Sequence, residues 1–174
     1  MNKKRFYNII LIAEEKSRAS LENLRMNLIG SKLVDLHPPH VTLKRKFTLK
    51  DAFSEKDLVA LLKNFAMPKI IFPFDKLERF GEAVVLSGKS AILFKKHKEM
   101  LEILKNYAET VNPEWEGDNF KAHLTIVRDL ENCFHLKKED LKIKETPLDK
   151  IQLFEIDPAP NKGFSRLVYS KSLI

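Results

Sequence analysis

The chain has 174 residues, enough for one domain that buries its own core, and its single cysteine, Cys133, excludes an internal disulfide and any zinc-finger spacing. Hydrophobic residues at 44% against 32% charged, with five Gly and eight Pro, exclude a disordered or low-complexity polymer. Lys and Arg number 31 against 24 Asp and Glu, and the net charge of +7 favours an anionic partner such as RNA, a nucleotide or an anionic surface.

A basic start leads into Ile9-Ile10-Leu11-Ile12-Ala13, which stops at Glu14-Glu15. The run is too short for a signal-peptide core, so Phe6 to Ala13 reads as a buried strand. No apolar stretch reaches the roughly 18 residues of a membrane span. With one unpaired cysteine, a reducing compartment and a cytoplasmic protein are expected.

Leu21, Leu24 and Leu28 fall at helical spacing between about Glu15 and Ile29, and Gly30 supplies the stop. Pro38 and Pro39 force an extended approach into a strand at His40-Val41-Thr42-Leu43. Ser54 to Asp57 has capping-box spacing, and Leu58, Leu61, Leu62 and Phe65 continue it as an amphipathic helix. Lys69 to Phe74 returns to strand character. Ala83 to Leu86 and Ala91 to Phe94 read as a hairpin around Ser87-Gly88-Lys89-Ser90, followed by a helix from Lys95 to Val111. A turn-rich stretch, Asn112 to Asp118, leads to a strand at His123-Leu124-Thr125-Ile126. A short helix near Lys137 to Ile143 and strands at Ile151 to Ile156 and Phe164 to Tyr169 complete the set.

His40 lies 25 residues after Glu15 and His123 lies 27 after Lys96, while the next strand starts 29 residues on in one half (Lys69) and 28 in the other (Ile151). This near register predicts a single domain, 1–174, of two duplicated lobes facing each other across a pseudo-twofold axis.

Side chains alternate faces along a strand, so each His shares a face with its Thr, while Val41 and Leu43, or Leu124 and Ile126, point the other way into a core. Two imidazoles and two hydroxyls then converge between the lobes. Metal-free phosphoester cleavage needs such a set: a base at the attacking oxygen, an acid at the leaving oxygen and neutral donors for the other oxygens. Histidine suits both roles because it titrates near working pH.

The pair HVTL at 40–43 and HLTIVR at 123–128, 83 residues apart, resembles the 2H phosphoesterase superfamily. The likeness is to its RNA 2′,3′-cyclic phosphodiesterases, also called 2′-5′ RNA ligases. The resemblance implies a bilobal α+β fold with two antiparallel sheets lining a central cleft and helices outside. It also implies cofactor-free hydrolysis of 2′,3′-cyclic phosphates on RNA or nucleotides to 2′-phosphates, and in some members reversible 2′-5′ ligation. By the same resemblance His40 and His123 are the catalytic pair, while Thr42, Thr125 and Arg128 bind the phosphate. Arg45 stands where the family often has Phe, and Ala122 where it often has Pro.

Lys44 and Lys46 share the parity of His40 and are expected to edge the cleft and draw in an RNA phosphate. Phe47 and Tyr7 are candidates for base contacts, as are Trp115 and Phe120. His37 and His40 straddle two prolines with no completing ligand, so no metal site is expected. His97 and His135 read as solvated, and Cys133 as an incidental thiol. A monomer is assumed. The rival from another class is a module that binds a nucleotide or RNA in the same cleft without turning it over.

Overall fold

The computed structural model describes residues 4–29, 38–81, 83–127, 143–156 and 164–174. The Ile-rich run forms strand β1 (Phe6–Ala13), in which Ile9, Ile10, Leu11 and Ile12 are 2% exposed or less. A strand covered on both faces reads as a continuous apolar run and not as an alternation. Helix α1 (Glu15–Ile29) follows, then β2 (His40–Leu49), α2 (Glu55–Asn64) and β3 (Ile70–Pro73). Next come β4 (Lys76–Phe80), β5 (Ala83–Ser87), α3 (Ala91–Leu104), β6 (Ala108–Thr110) and 3-10 turns at Pro113–Trp115 and Gly117–Asn119. β7 (His123–Val127), β8 (Glu145–Ile156) and β9 (Phe164–Ser172) close the chain.

The architecture is α+β, as expected, and the strands form one antiparallel sheet of nine, ordered β3-β8-β1-β2-β7-β5-β4, with β6 on β2 and β9 on β8. The two expected sheets therefore share a ladder, joined where β2 meets β7 at the bridge Val41–Leu124. Leu21 of α1, Leu58 and Leu62 of α2, and Leu93, Met100 and Leu104 of α3 cluster with Ile9, Leu11, Val41, Leu43 and Leu124, so the helices cover one face. Each such side chain contributes about 1.5–3 kcal/mol by leaving water.

α1 and α2 stand where spacing and capping put them; at α2 the Ser54 amide donates to Asp57 Oδ2 at 2.8 Å. The hairpin expected around Ser87 to Ser90 is corrected. Ala91 to Phe94 is the first turn of α3, because Ser90 caps it by accepting from the Leu93 amide at 3.3 Å. Buried Leu93, His97, Met100 and Leu104 then recur at helical, not strand, spacing. The true hairpin is β4–β5, turning at Gly81 with φ of 58°. Gly88, between β5 and α3, passes so close to β3 that a Cβ there would lie 1.8 Å from the Pro73 carbonyl oxygen. Of the helix expected near 137–143, residues 137–142 lie outside the described residues, as do His37, Arg128, Cys133 and His135.

Candidate active site

The register of the β2–β7 joint assembles the motif residues. With Val41 bridged to Leu124 in an antiparallel pair, one step outward sets His40 opposite Thr125 and Thr42 opposite His123. All four are half-buried on one face, while Val41, Leu43, Leu124 and Ile126 are fully buried on the other. Directly opposed residues have Cβ atoms about 4.5–5.5 Å apart and diagonal ones about 7–8 Å. The histidines thus occupy one diagonal of a four-cornered patch and the threonines the other.

Both rings are oriented alike. Nδ1 of His40 lies 2.8 Å from the Pro38 carbonyl oxygen, and Nδ1 of His123 lies 2.8 Å from that of Lys121. A carbonyl only accepts, so each Nδ1 carries the hydrogen, and in the neutral ring Nε2 is the nitrogen with the lone pair. Phe80 packs edge-on to His123 at 4.8 Å between centroids. Ser87, paired with His123 across β5–β7, donates its hydroxyl to Glu78. Among the described residues no three His, Cys, Asp or Glu gather as a metal-holding group, and no helix is long and apolar enough to cross a membrane.

Sequence parity fails beyond Thr42. The register runs Ile12–His40 and Ile10–Thr42 but then Ile9–Lys44 and Tyr7–Phe47, so β2 carries two inserted residues. Each bulge flips the faces that follow. Lys44, expected at the edge of the motif face, therefore turns into the interior with Ile9 and is 1% exposed. Its ammonium reaches Glu116 Oε1 at 2.5 Å and the Arg45 carbonyl at 3.0 Å, and burial lowers its pKa against the pull of Glu116. Phe47 and Tyr7 are corrected likewise. They pack against each other at 5.9 Å on the core side of the sheet, away from the motif face. The Tyr7 hydroxyl donates to Glu55 at 3.5 Å, and burial, then the Glu55 charge, raise its pKa. Lys46 does lie on the motif face, its Nζ 4.4 Å from the Phe6 ring. Arg45 stacks on exposed Trp115 at 5.7 Å.

His97 is not solvated. It is 1% exposed, donates from Nδ1 to the Leu43 carbonyl at 2.7 Å, accepts from the Gly117 amide at Nε2 at 3.0 Å, and stacks on Phe120 at 4.0 Å. Burial, first of several causes, lowers its pKa, in keeping with a ring whose two nitrogens play opposite roles. It ties the strand of the first motif to the approach to the second.

Sequence reasoning missed Arg25. The guanidinium, 3% exposed, donates to the Thr125 carbonyl at 2.5 Å, and burial pushes its pKa down to about 10. The signal was there: Arg25 sits four residues after Leu21, on the buried side of α1. A groove of about 860 Å³ lies elsewhere, lined by Lys4, Arg5, Tyr7, Lys50 and Glu55 among others, and no motif residue borders it.

The sequence matches the 2′-5′ RNA ligase superfamily over residues 13–156. No curated protein is similar enough in sequence to count as a relative. The fold resembles E. coli LigT complexed with 3′-AMP, with a TM-score of 0.62 and 11% identity over 98% of this chain and 99% of that one. It also resembles LigT in apo form (TM-score 0.64, 12% identity, 98% and 97% covered) and a crystal structure of a phosphoesterase (0.63, 13%, 98% and 99%). At such identities the structures establish the shared fold, whereas the sequence match spans most of the chain. The chain belongs to the 2′-5′ RNA ligase superfamily.

Proposed function

We propose that this chain is a metal-independent phosphoesterase that opens 2′,3′-cyclic phosphates on RNA ends or nucleotides by two-histidine acid–base catalysis. The observation that carries the reading is the diagonal of His40 and His123, two imidazoles of one tautomer with threonine hydroxyls at the remaining corners. A phosphate seated over Val41 and Leu124 has a proton acceptor on one side, a donor on the other and hydroxyls at its non-bridging oxygens. His123 takes a proton from water as its oxygen bonds to phosphorus. The bond from phosphorus to the 3′ oxygen breaks, and His40 gives that oxygen its proton. The product is a 2′-phosphate beside a free 3′-hydroxyl. Arg128, ending the second motif, binds the phosphate as its counterpart in the family does. With a 5′-hydroxyl in place of water, the 5′ oxygen bonds to phosphorus as the 3′ oxygen leaves, and the same chemistry makes a 2′-5′ linkage, reversibly.

Nucleotides are apt ligands, since LigT has been crystallised with 3′-AMP and with NADP+. The enzyme acts as a cytoplasmic monomer, one domain of two pseudo-symmetric lobes built around residues 40–43 and 123–128. The test is turnover of a nucleoside 2′,3′-cyclic phosphate in EDTA with the product's regiochemistry determined. A 2′-phosphate is expected. Binding without turnover would make the chain a nucleotide-binding module, and activity lost in EDTA would make it metal-dependent.

A further inference from the structure

Thr125, one of the four corners, stands where β7 is held least by its neighbouring strands. Toward β5 the register runs Ser87–His123, Leu86–Leu124 and Val85–Thr125 but then Val84–Val127, so Ile126 is an inserted residue. Burial records the same bulge: His123 and Thr125 are half-buried with Leu124 buried between them, while Ile126 and Val127 are buried in succession. Toward β2, the bridge is at Leu124 and β2 itself begins at His40. A strand whose two ladders are both interrupted at one residue can slip there. A slip by one residue would turn the Thr125 hydroxyl to the core and Ile126 to the motif face.

Arg25 reaches this joint from α1. Its Nη2 donates to the Thr125 carbonyl at 2.5 Å, across 100 residues of sequence, and the residue is 3% exposed. Leu21, one turn earlier on the same side of the helix, is sealed in the core and sets the approach of the guanidinium. A methionine at this place would fill space without the desolvation that burying a guanidinium entails. What arginine adds is a rigid fork of N–H donors and a charge kept at neutral pH, since burial lowers its pKa only to about 10. We propose that Arg25 is a positioning residue for the phosphate site: its guanidinium pins the peptide after Thr125 at the β7 bulge and so fixes the Thr125 hydroxyl toward a non-bridging phosphate oxygen. The inference rests on the phosphoesterase reading and deepens it, because a donor stabilises a transition state best when it is held in place beforehand.

A double-mutant cycle tests it. kcat and KM for a nucleoside 2′,3′-cyclic phosphate are measured in wild type, Arg25→Gln, Thr125→Val and the double variant, and Arg25→Gln is also combined with Thr42→Val, each fold being checked by circular dichroism. Thr125→Val should lower kcat about 10²-fold, the scale of one lost oxyanion donor. Arg25→Gln should lower kcat about tenfold, with KM little changed, both in wild type and beside Thr42→Val, as expected of a misplaced group. It should have no further effect once Thr125 has lost its hydroxyl. A purely structural arginine predicts the same factor in all three backgrounds, and that result, or no loss in any of them, would overturn the proposal. If Arg25→Gln does not fold, Arg25→Lys, which keeps the charge, carries the cycle. The same cycle is run at equilibrium with inorganic phosphate, where Arg25→Gln should weaken binding several-fold in wild type and leave the Thr125→Val protein unchanged. A wild type that binds phosphate but opens no cyclic phosphate overturns the phosphoesterase reading, and the phosphate cycle then decides the role of Arg25 by itself. A wild type that does neither overturns both.

Discussion

Truncating either motif histidine removes one end of the diagonal without touching the core, since the rings are half-buried and Val41 and Leu124 hold the strands. His40→Ala and His123→Ala are expected to stay folded by circular dichroism and to lose about 10²–10⁴ in turnover, the range for a lost acid or base. Near-normal rates in either folded variant would sink the two-histidine mechanism. Lys44 belongs to stability instead. Its ammonium and the Glu116 carboxylate are both nearly sealed from water, so removing one strands the other. Glu116→Ala should cost about 3–5 kcal/mol in urea unfolding, while Lys44→Met with Glu116→Leu should recover most of it. A loss under about 1 kcal/mol for Glu116→Ala, the scale of an exposed pair, would show that water reaches the ion pair.

Among the elements, α3 carries the clearest pH signature through His97. Its folded pKa is depressed by burial, with Lys44 and Lys98 adding to the shift and Glu116 and the Leu43 carbonyl opposing it. Above the ordinary imidazole value of about 6.5 both folded and unfolded rings are neutral, and the contribution to stability is whole. As pH falls through that value the unfolded ring takes a proton that the folded ring refuses, because Nε2 is accepting from Gly117. Stability is therefore lost on acidification, by up to about 1.4 kcal/mol per pH unit for one proton. Urea unfolding between pH 5 and 8 should show this slope, and His97→Gln should reduce it. An identical slope in the variant would exclude His97 as its source. The same helix shows what local reading misses: Ala91-Ile92-Leu93-Phe94 has strand-like composition, yet Ser90 caps it and Leu93 finds a core only as part of a helix.

For the whole molecule, the four-cornered patch exists only because β2 and β7 share a ladder, and the proposed mechanism uses its two histidines as a coupled pair. The base must be neutral and the acid protonated, and kcat/KM should be bell-shaped in pH with both limbs belonging to the pair. Replacing only the acid should remove the alkaline limb and leave the acidic one, which assigns the roles of His40 and His123. A wild-type rate that climbs steadily to above about pH 10, where ordinary imidazoles are long neutral, would indicate hydroxide or metal-bound water.

What the sequence determined by itself was local. Side-chain alternation put His40 with Thr42 and His123 with Thr125 on one face of each strand, capping and spacing set α1 and α2, and the paired motif pointed to the family. What only the tertiary structure decided was register: that Val41 meets Leu124, which makes a diagonal of two separate histidines, and that β2 bulges twice, which buries Lys44 while leaving Lys46 on the motif face. The reason is physical. A bulge shifts every later side chain by one face, and nothing in Leu43-Lys44-Arg45-Lys46 announces it. Its position is set by the fit of β2 against β1, and the burial of Lys44 by a carboxylate 72 residues away, whose charge makes the interior tolerable to an ammonium.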